Sequence, residues 1–329
     1  MNRKERNVCL WKLLCGTLLF AALSFFDLFE AATAQTQRPA KAQTVATQPR
    51  KTQTSSAASN EALREARRET LAASSLGGKP LPYRVLLPTE YATSMRRYPV
   101  LYLLHGRTGD ENDWWTKTNL VQYAARHRLI IVMPGVGDSW YANSATNEQA
   151  KYEDAMMRDL IPHIDKSFRT LATWHGRAIA GLSMGGLGAM KFALRFPDMF
   201  AFAASFSGAF DVPRTVGFND ANDQRIKDIL GAYGPKDSPT RQANDVFLLL
   251  ERITPERRAR MPYLYVATGA NDPLPSVVSS NPRFADALRE RKFQYEYHER
   301  PGGHDWRFWD EEVKSMLERM ADFIPQSNP

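Results

Sequence analysis

The sequence predicts an α/β fold, with one mostly parallel central sheet of about eight strands and helices on both faces. Three observations predict it. Short apolar, β-rich runs alternate with longer helical patterns. Several of the runs lack polar alternation, as strands buried on both faces do. The alternation continues, without an internal repeat, from about residue 61 to residue 325.

Residues 1–34 read as a secretory signal. Arg3, Lys4, Arg6 and Lys12 precede an apolar run over 13–26, and "AATAQ" places small residues Ala32 and Ala34 before Gln35. The run is shorter than the ~20 apolar residues a membrane span needs, and Asp27 and Glu30 close it. Retention as an anchor stays open as the second reading. Residues 35–60, rich in Thr, Gln, Ser, Ala and Pro, read as a disordered linker. Residues 61–325 read as one globular domain. "ETLAASS" (69–75) and "PYRVLLP" (82–88) pair as an antiparallel hairpin across "LGGKP". Then come the strands "YPVLYLLHG" (98–106), "LIIVMPG" (129–135), "GRAIAGLS" (176–183), "FAASFSG" (202–208), "PYLYVATG" (262–269) and "FQYEYHERPGG" (293–303). Helical patterns cover 152–168, 184–195, 282–291 and 307–323. The stretch 210–261 is longer than a plain crossover and is expected to add helices over one end of the sheet.

Composition excludes some functions. Both cysteines, Cys9 and Cys15, lie in the signal, so the exported chain has no thiol and no disulfide. The net charge is +7, and residues 1–34 carry four basic and three acidic side chains, leaving +6. The basic residues are spread out, and runs such as "ERRAR" (256–260) read as solvated helix faces rather than a nucleic-acid footprint.

Residues 178–197, "AIAGLSMGGLGAMKFALRFP", carry the chemistry. Gly181-Leu182-Ser183-Met184-Gly185 follows an apolar strand and opens a helix, which is the setting of a nucleophile elbow. Gly181 and Gly185 let strand and helix approach; Gly186 and Gly188 are expected to bring the helix close to the sheet. Serine needs a base. Of six histidines, His304 follows the last predicted strand, on a loop at the same sheet edge. Asp272 ends the preceding strand in "ATGANDPL" and is placed to orient the imidazole. Asp305 is sequence-adjacent to His304, and neighbouring side chains diverge; Asp310 falls a turn into the last helix. An oxyanion hole needs two backbone N–H groups: that of Met184, after the nucleophile, and most simply that of Arg107.

"YPVLYLLHG", "GLSMGG", "TGANDP" and "PGGHDW", in that order, resemble the esterase-D-like branch of the α/β-hydrolases, over roughly residues 69–324. This branch contains S-formylglutathione hydrolases, feruloyl and acetyl esterases, and mycolyltransferases. The resemblance implies an α/β-hydrolase fold, Ser183, Asp272 and His304 as a triad, and Arg107 and Met184 as oxyanion donors. The expected protein is an exported serine esterase acting on a small or carbohydrate-linked ester. Its alternatives are an acyltransferase or a non-catalytic binding protein on the same scaffold.

His105 ends a strand at the catalytic edge. It is a substrate-site candidate that we read as shaping the oxyanion loop. Trp140 and Tyr141, in "VMPGVGDSWYANS" (132–144), either wall the cleft or pack their own loop. Trp114 and Trp115 either line the cleft or pack the first crossover; Trp306 and Trp309 anchor the His304 loop. No metal motif, phosphate loop or dinucleotide fingerprint is present, so no cofactor is expected.

Overall fold

The structure, a computed structural model, describes residues 66–215 and 223–325; the expected signal and linker lie outside the described residues. Eight strands form one sheet: β1 (Arg67–Ala72), β2 (Pro80–Leu86), β3 (Val100–Leu104), β4 (Ile130–Pro134), β5 (Arg177–Leu182), β6 (Phe202–Phe206), β7 (Tyr263–Gly269) and β8 (Tyr295–Arg300). Their spatial order is β1-β2-β4-β3-β5-β6-β7-β8. β1 and β2 make the expected hairpin, with Glu69 opposite Tyr83, and β2 runs antiparallel to β4. All remaining pairs are parallel. The parallel strands therefore deliver their C-terminal loops to one edge.

The helices, in chain order, are α1 (Asp113–Lys117), α2 (Leu120–Ala124) and α3, in which Tyr152–Asp154 runs through a π-helical stretch, Ala155–Leu160, into Ile161–Ser167. Then come α4 (Met184–Arg195), α5 (Val212–Thr215), α6 (Gln224–Tyr233), α7 (Pro239–Asn244), α8 (Val246–Glu251), α9 (Pro255–Arg258), α10 (Pro275–Glu290) and α11 (Trp306–Met320). The period-2 alternation of strand side chains builds two cores. Val100, Tyr102 and Leu104 of β3 join a core with Leu187 and Met190 of α4 and Phe284 of α10. Leu101 and Leu103 join the opposite core, with Leu120 of α2 and Val313, Met316 and Leu317 of α11. Both faces of the sheet are covered, which is why the strands read as unbroken apolar runs.

Two helix starts differ from the sequence expectation. α10 begins at Pro275 rather than 282, and Pro282 lies inside it. A proline there removes one backbone hydrogen bond. Packing outweighs that cost: Val277, Ser280, Asn281 and Phe284 are all buried, and Asn281 binds both the N–H and the carbonyl of Gly208. α11 begins one residue early, at Trp306, because Asp305 caps it by accepting from the Phe308 N–H. Helices α5–α9 supply the addition expected between 210 and 261.

Candidate active site

β5 ends at Leu182 and α4 starts at Met184, so the turn between them is Ser183 alone. Ser183 takes φ 50°, ψ −111°, a strained conformation for a residue with a Cβ. The turn is tight enough that a Cβ on Gly181 would stand 2.5 Å from the Gly185 carbonyl oxygen. Main-chain bonds hold the strain. The Ser183 N–H donates to Phe206 O at 2.8 Å, and Ser183 O accepts from the N–H groups of Leu187 (3.0 Å) and Ala209 (3.1 Å). α4 is buried on all sides because sheet and helices enclose it.

Three sequence-predicted residues meet here. Ser183 Oγ lies 3.0 Å from His304 Nε2, and His304 Nδ1 lies 2.7 Å from Asp272 Oδ2. An ionised Asp272 can only accept, so Nδ1 carries the proton and Nε2 is the acceptor for the serine hydroxyl. Asp272 Oδ1 accepts from the Leu274 N–H at 2.9 Å, which orients the carboxylate. The Asp272 side chain is fully buried and the His304 side chain keeps 15 % exposure. Trp309 stands edge-on to the His304 ring, with centroids 5.0 Å apart. Asp305 points into the helix cap, and Asp310 binds Asn119 and Tyr123.

The N–H groups of Arg107 and Met184 donate to no described residue. The Arg107 N–H belongs to the same peptide unit as Gly106 O. His105 Nδ1–H donates to Gly106 O at 2.7 Å, while His105 Nε2 accepts from the Val136 N–H at 3.1 Å. In a trans peptide the carbonyl and N–H point in opposite directions. Anchoring Gly106 O on the His105 ring thus aims the Arg107 N–H away from it. Burial holds the His105 pKa below its ordinary value, which keeps this donor–acceptor form neutral. Asp138 steadies the next residue by accepting from the Thr108 N–H at 2.5 Å. The Arg107 guanidinium pairs with Asp228 of α6 at 3.2 Å.

Ser183 and His304 open onto a cleft of about 710 Å³. Its apolar wall is Trp140, Val212, Ile226, Ile229, Leu274 and Val277; Lys117, Thr108 and Trp306 lie elsewhere on its lining. This corrects two sequence expectations. His105 and Tyr141 are not substrate-lining residues: both are fully buried and outside the cleft. Tyr141 packs against α4, where a Cβ on Gly188 would stand 2.9 Å from its ring, and its hydroxyl donates to His105 O at 3.1 Å. Gly188 therefore makes room for Tyr141 rather than for the sheet. Trp114 and Trp115 pack the crossover. Trp114 is buried with its indole N–H on Leu104 O, and Trp115 lies beneath Arg84. Trp306 and Trp309 support the His304 loop and also line the cleft.

Sequence reasoning missed the cleft wall from α5, α6 and α10. The spacing of Ile226 and Ile229 was a signal of an apolar helix face, with nothing to say that it faced a serine. Among the described residues no group of three His, Cys, Asp or Glu side chains could hold a metal ion. No described helix is long and apolar enough to cross a membrane.

Comparison with known proteins bears on the family and the fold. The family model described as "Putative esterase" matches residues 73–320. An esterase of Mycobacterium tuberculosis, Rv1288, is 36 % identical over 253 residues, covering 71 % of this chain and 54 % of the relative. This chain thus spans about half the length of the curated relatives it matches first. An acetyl esterase of Caldicellulosiruptor saccharolyticus is 26 % identical over 231 residues, covering 67 % of this chain and 82 % of the relative. Among solved structures, a ferulic acid esterase superposes with a TM-score of 0.68 at 25 % identity, covering 79 % of this chain and 98 % of that one. The eight-stranded sheet is that of the α/β-hydrolases, and the chain belongs to the esterase family.

Proposed function

We propose that this chain is an exported serine esterase that hydrolyses carboxylic esters through an acyl-enzyme. The observation that carries the reading is the unbroken row Ser183 Oγ–His304–Asp272, with spacings of 3.0 and 2.7 Å, opening onto the cleft. Ser183 Oγ attacks the ester carbonyl carbon while His304 Nε2 takes the hydroxyl proton. Asp272 stabilises the imidazolium and holds its tautomer. The carbonyl oxygen, now negative, accepts from the free N–H groups of Arg107 and Met184. Met184 also begins α4, whose N-terminus adds positive potential. The C–O bond then breaks, and His304 returns its proton to the leaving alkoxide. Water repeats the sequence and releases the acid.

The cleft supports an acyl group larger than acetyl, since about 710 Å³ walled by Trp140, Ile226 and Val277 exceeds what a methyl group needs. Aromatic acyl esters of cell-wall carbohydrate fit that description. The name of the ferulic acid esterase that the fold resembles points the same way. Export rests on the signal read in residues 1–34.

A fluorophosphonate probe tests the nucleophile. The purified protein should be labelled, with the adduct mapped to Ser183, and Ser183→Ala should take no label. Labelling that persists in Ser183→Ala overturns the assignment. Hydrolysis of methyl ferulate, acetylated xylan and p-nitrophenyl acetate, with and without an acceptor alcohol, then ranks the acyl groups and tells hydrolysis from transfer.

A further inference from the structure

Lys191 sits in α4, two turns past Ser183, with no exposure at all. An ammonium in a protein core is costly unless every N–H is paired. Here two hydrogen bonds and a buried ion pair compensate it. The Lys191 ammonium donates to the Tyr141 carbonyl and to Asn244 Oδ1 at 3.0 Å, and it forms an ion pair with Glu153 Oε2 at 3.2 Å. Glu153 in turn binds Arg195. A plain aliphatic residue would fill the space between α4 and its neighbours at lower cost, so the charge calls for a purpose.

Its partners suggest one. Trp140 and Tyr141 have φ of 56° and 52°, two consecutive left-handed residues that are not glycine. The carbonyl that Lys191 grips is at this corner. Trp140 forms cleft wall, and the Tyr141 hydroxyl holds His105 O, one residue before the peptide that carries the Arg107 N–H. We propose that Lys191 is a positioning residue for the acyl-transfer step. It secures the Trp140–Tyr141 corner and, through the Tyr141 hydroxyl and His105, the aim of the oxyanion loop. The inference rests on the esterase reading above.

The clamp depends on protonation. Burial pushes the Lys191 ammonium down to about 8, against the pull of Glu153. The charged groups facing it are Glu153 and Arg195; the hydroxyls of the neighbouring Tyr141 and Tyr233 are turned to the His105 and Trp140 carbonyls. Burial raises Glu153, but Lys191 and Arg195 overbalance this and hold it below the usual carboxylate range. Burial pushes both tyrosines well above their ordinary value. Lys191 is therefore the member of this set that titrates in the weakly alkaline range. Below about pH 8 it is a cation with three N–H groups, held by two hydrogen bonds and the ion pair with Glu153. Above it, the neutral amine offers two.

Hydrolysis of p-nitrophenyl acetate by the intact wild-type chain comes first. A wild type that hydrolyses no ester sinks the esterase reading and this inference with it. With an active wild type, Lys191→Met should lower kcat about tenfold with KM within about threefold, at unchanged circular dichroism. Wild-type kcat should fall as pH rises through about 8, and Lys191→Met should lack that limb. Tyr141→Phe removes one oxygen and keeps the ring. It should lower kcat by roughly threefold, and the double variant should be no slower than Lys191→Met, as for two groups on one route. A folded Lys191→Met with wild-type kcat and a wild-type pH profile overturns the proposal while leaving the esterase reading intact. If Lys191→Met does not fold, Tyr141→Phe decides alone: a lowered kcat supports the proposal and an unchanged one overturns it.

Discussion

After β5, β7 and β8 the chain presents Ser183, Asp272 and His304; after β3 and β4 it presents the oxyanion loop and the Trp140 wall. Both halves of this edge are strained, yet they are held differently. Ser183 is kept at φ 50° by glycine-tight packing and by main-chain bonds to Phe206, Leu187 and Ala209. Trp140 and Tyr141, equally left-handed, are kept by side chains that reach main-chain carbonyls. Lys191 holds Tyr141 O, and the Tyr233 hydroxyl holds Trp140 O at 3.3 Å. Side chains also hold the oxyanion loop: His105 binds Gly106 O and the Val136 N–H, and Asp138 accepts from the Thr108 N–H. The first half moves only if α4 moves against the sheet. The second can be loosened one side chain at a time. Losses of activity should therefore be large and sharp in the first half, and graded in the second.

The largest expected effect sharpens the first half. Asp272→Asn keeps an acceptor for the Leu274 N–H but turns an amide N–H₂ toward His304 Nδ1. The imidazole must then carry its proton on Nε2, which faces Ser183. By analogy with the protease triad, kcat should fall by up to ~10⁴-fold with the fold intact. Asp305→Asn is the control, because asparagine caps α11 as well as aspartate does; its cost should be on the order of tenfold or less. Measuring kcat/KM of both on one activated ester, with circular dichroism, decides. A crippled Asp305→Asn beside a normal Asp272→Asn would reverse the assignment.

A middle effect belongs to the second half. His105→Gln loosens the Gly106–Arg107 peptide, so kcat should drop by more than tenfold but by less than the ~10²–10³ that losing one oxyanion donor outright costs. The same variant has a stability signature. Because burial lowers the His105 pKa, the unfolded chain takes up a proton near the ordinary 6.5 while the native ring stays neutral. Native stability is then full above that value and declines as pH falls below it. Between about pH 7 and 5.5 the wild-type melting temperature should fall more steeply than that of His105→Gln. Parallel slopes would show that His105 does not couple the loop to protonation.

The smallest effect is that of Tyr233→Phe, which removes one long bond to Trp140 O. It should cost about 1 kcal/mol of stability and less than threefold in kcat. A loss above tenfold would mean that the wall is as sensitive as the elbow, and the distinction between the halves would fail.

Much of this was legible in residue order. The apolar strands, the Gly-x-Ser-x-Gly turn and the positions of Asp272 and His304 after successive strands depend on local backbone geometry and on the parallel order of strands. Both leave periodic or punctuated traces in a chain. The same traces led to Met184 and Arg107 as unpaired donors.

The tertiary structure alone decided the rest. Whether Tyr141 faced ligand or protein depended on Gly188, 47 positions on, and on a carbonyl of β3's end. Trp140 became wall, while its neighbour became brace. The role of Lys191, a buried charge in an apolar helix, depended on Glu153, Asn244 and Tyr141, each about 40 to 50 residues away. The apolar cleft wall that the sequence did not reveal came from α5, α6 and α10, whose spacing says only that one side is greasy. Local periodicity determines which residues share a face. What that face meets is set by long-range packing, in which each pairing depends on all the others.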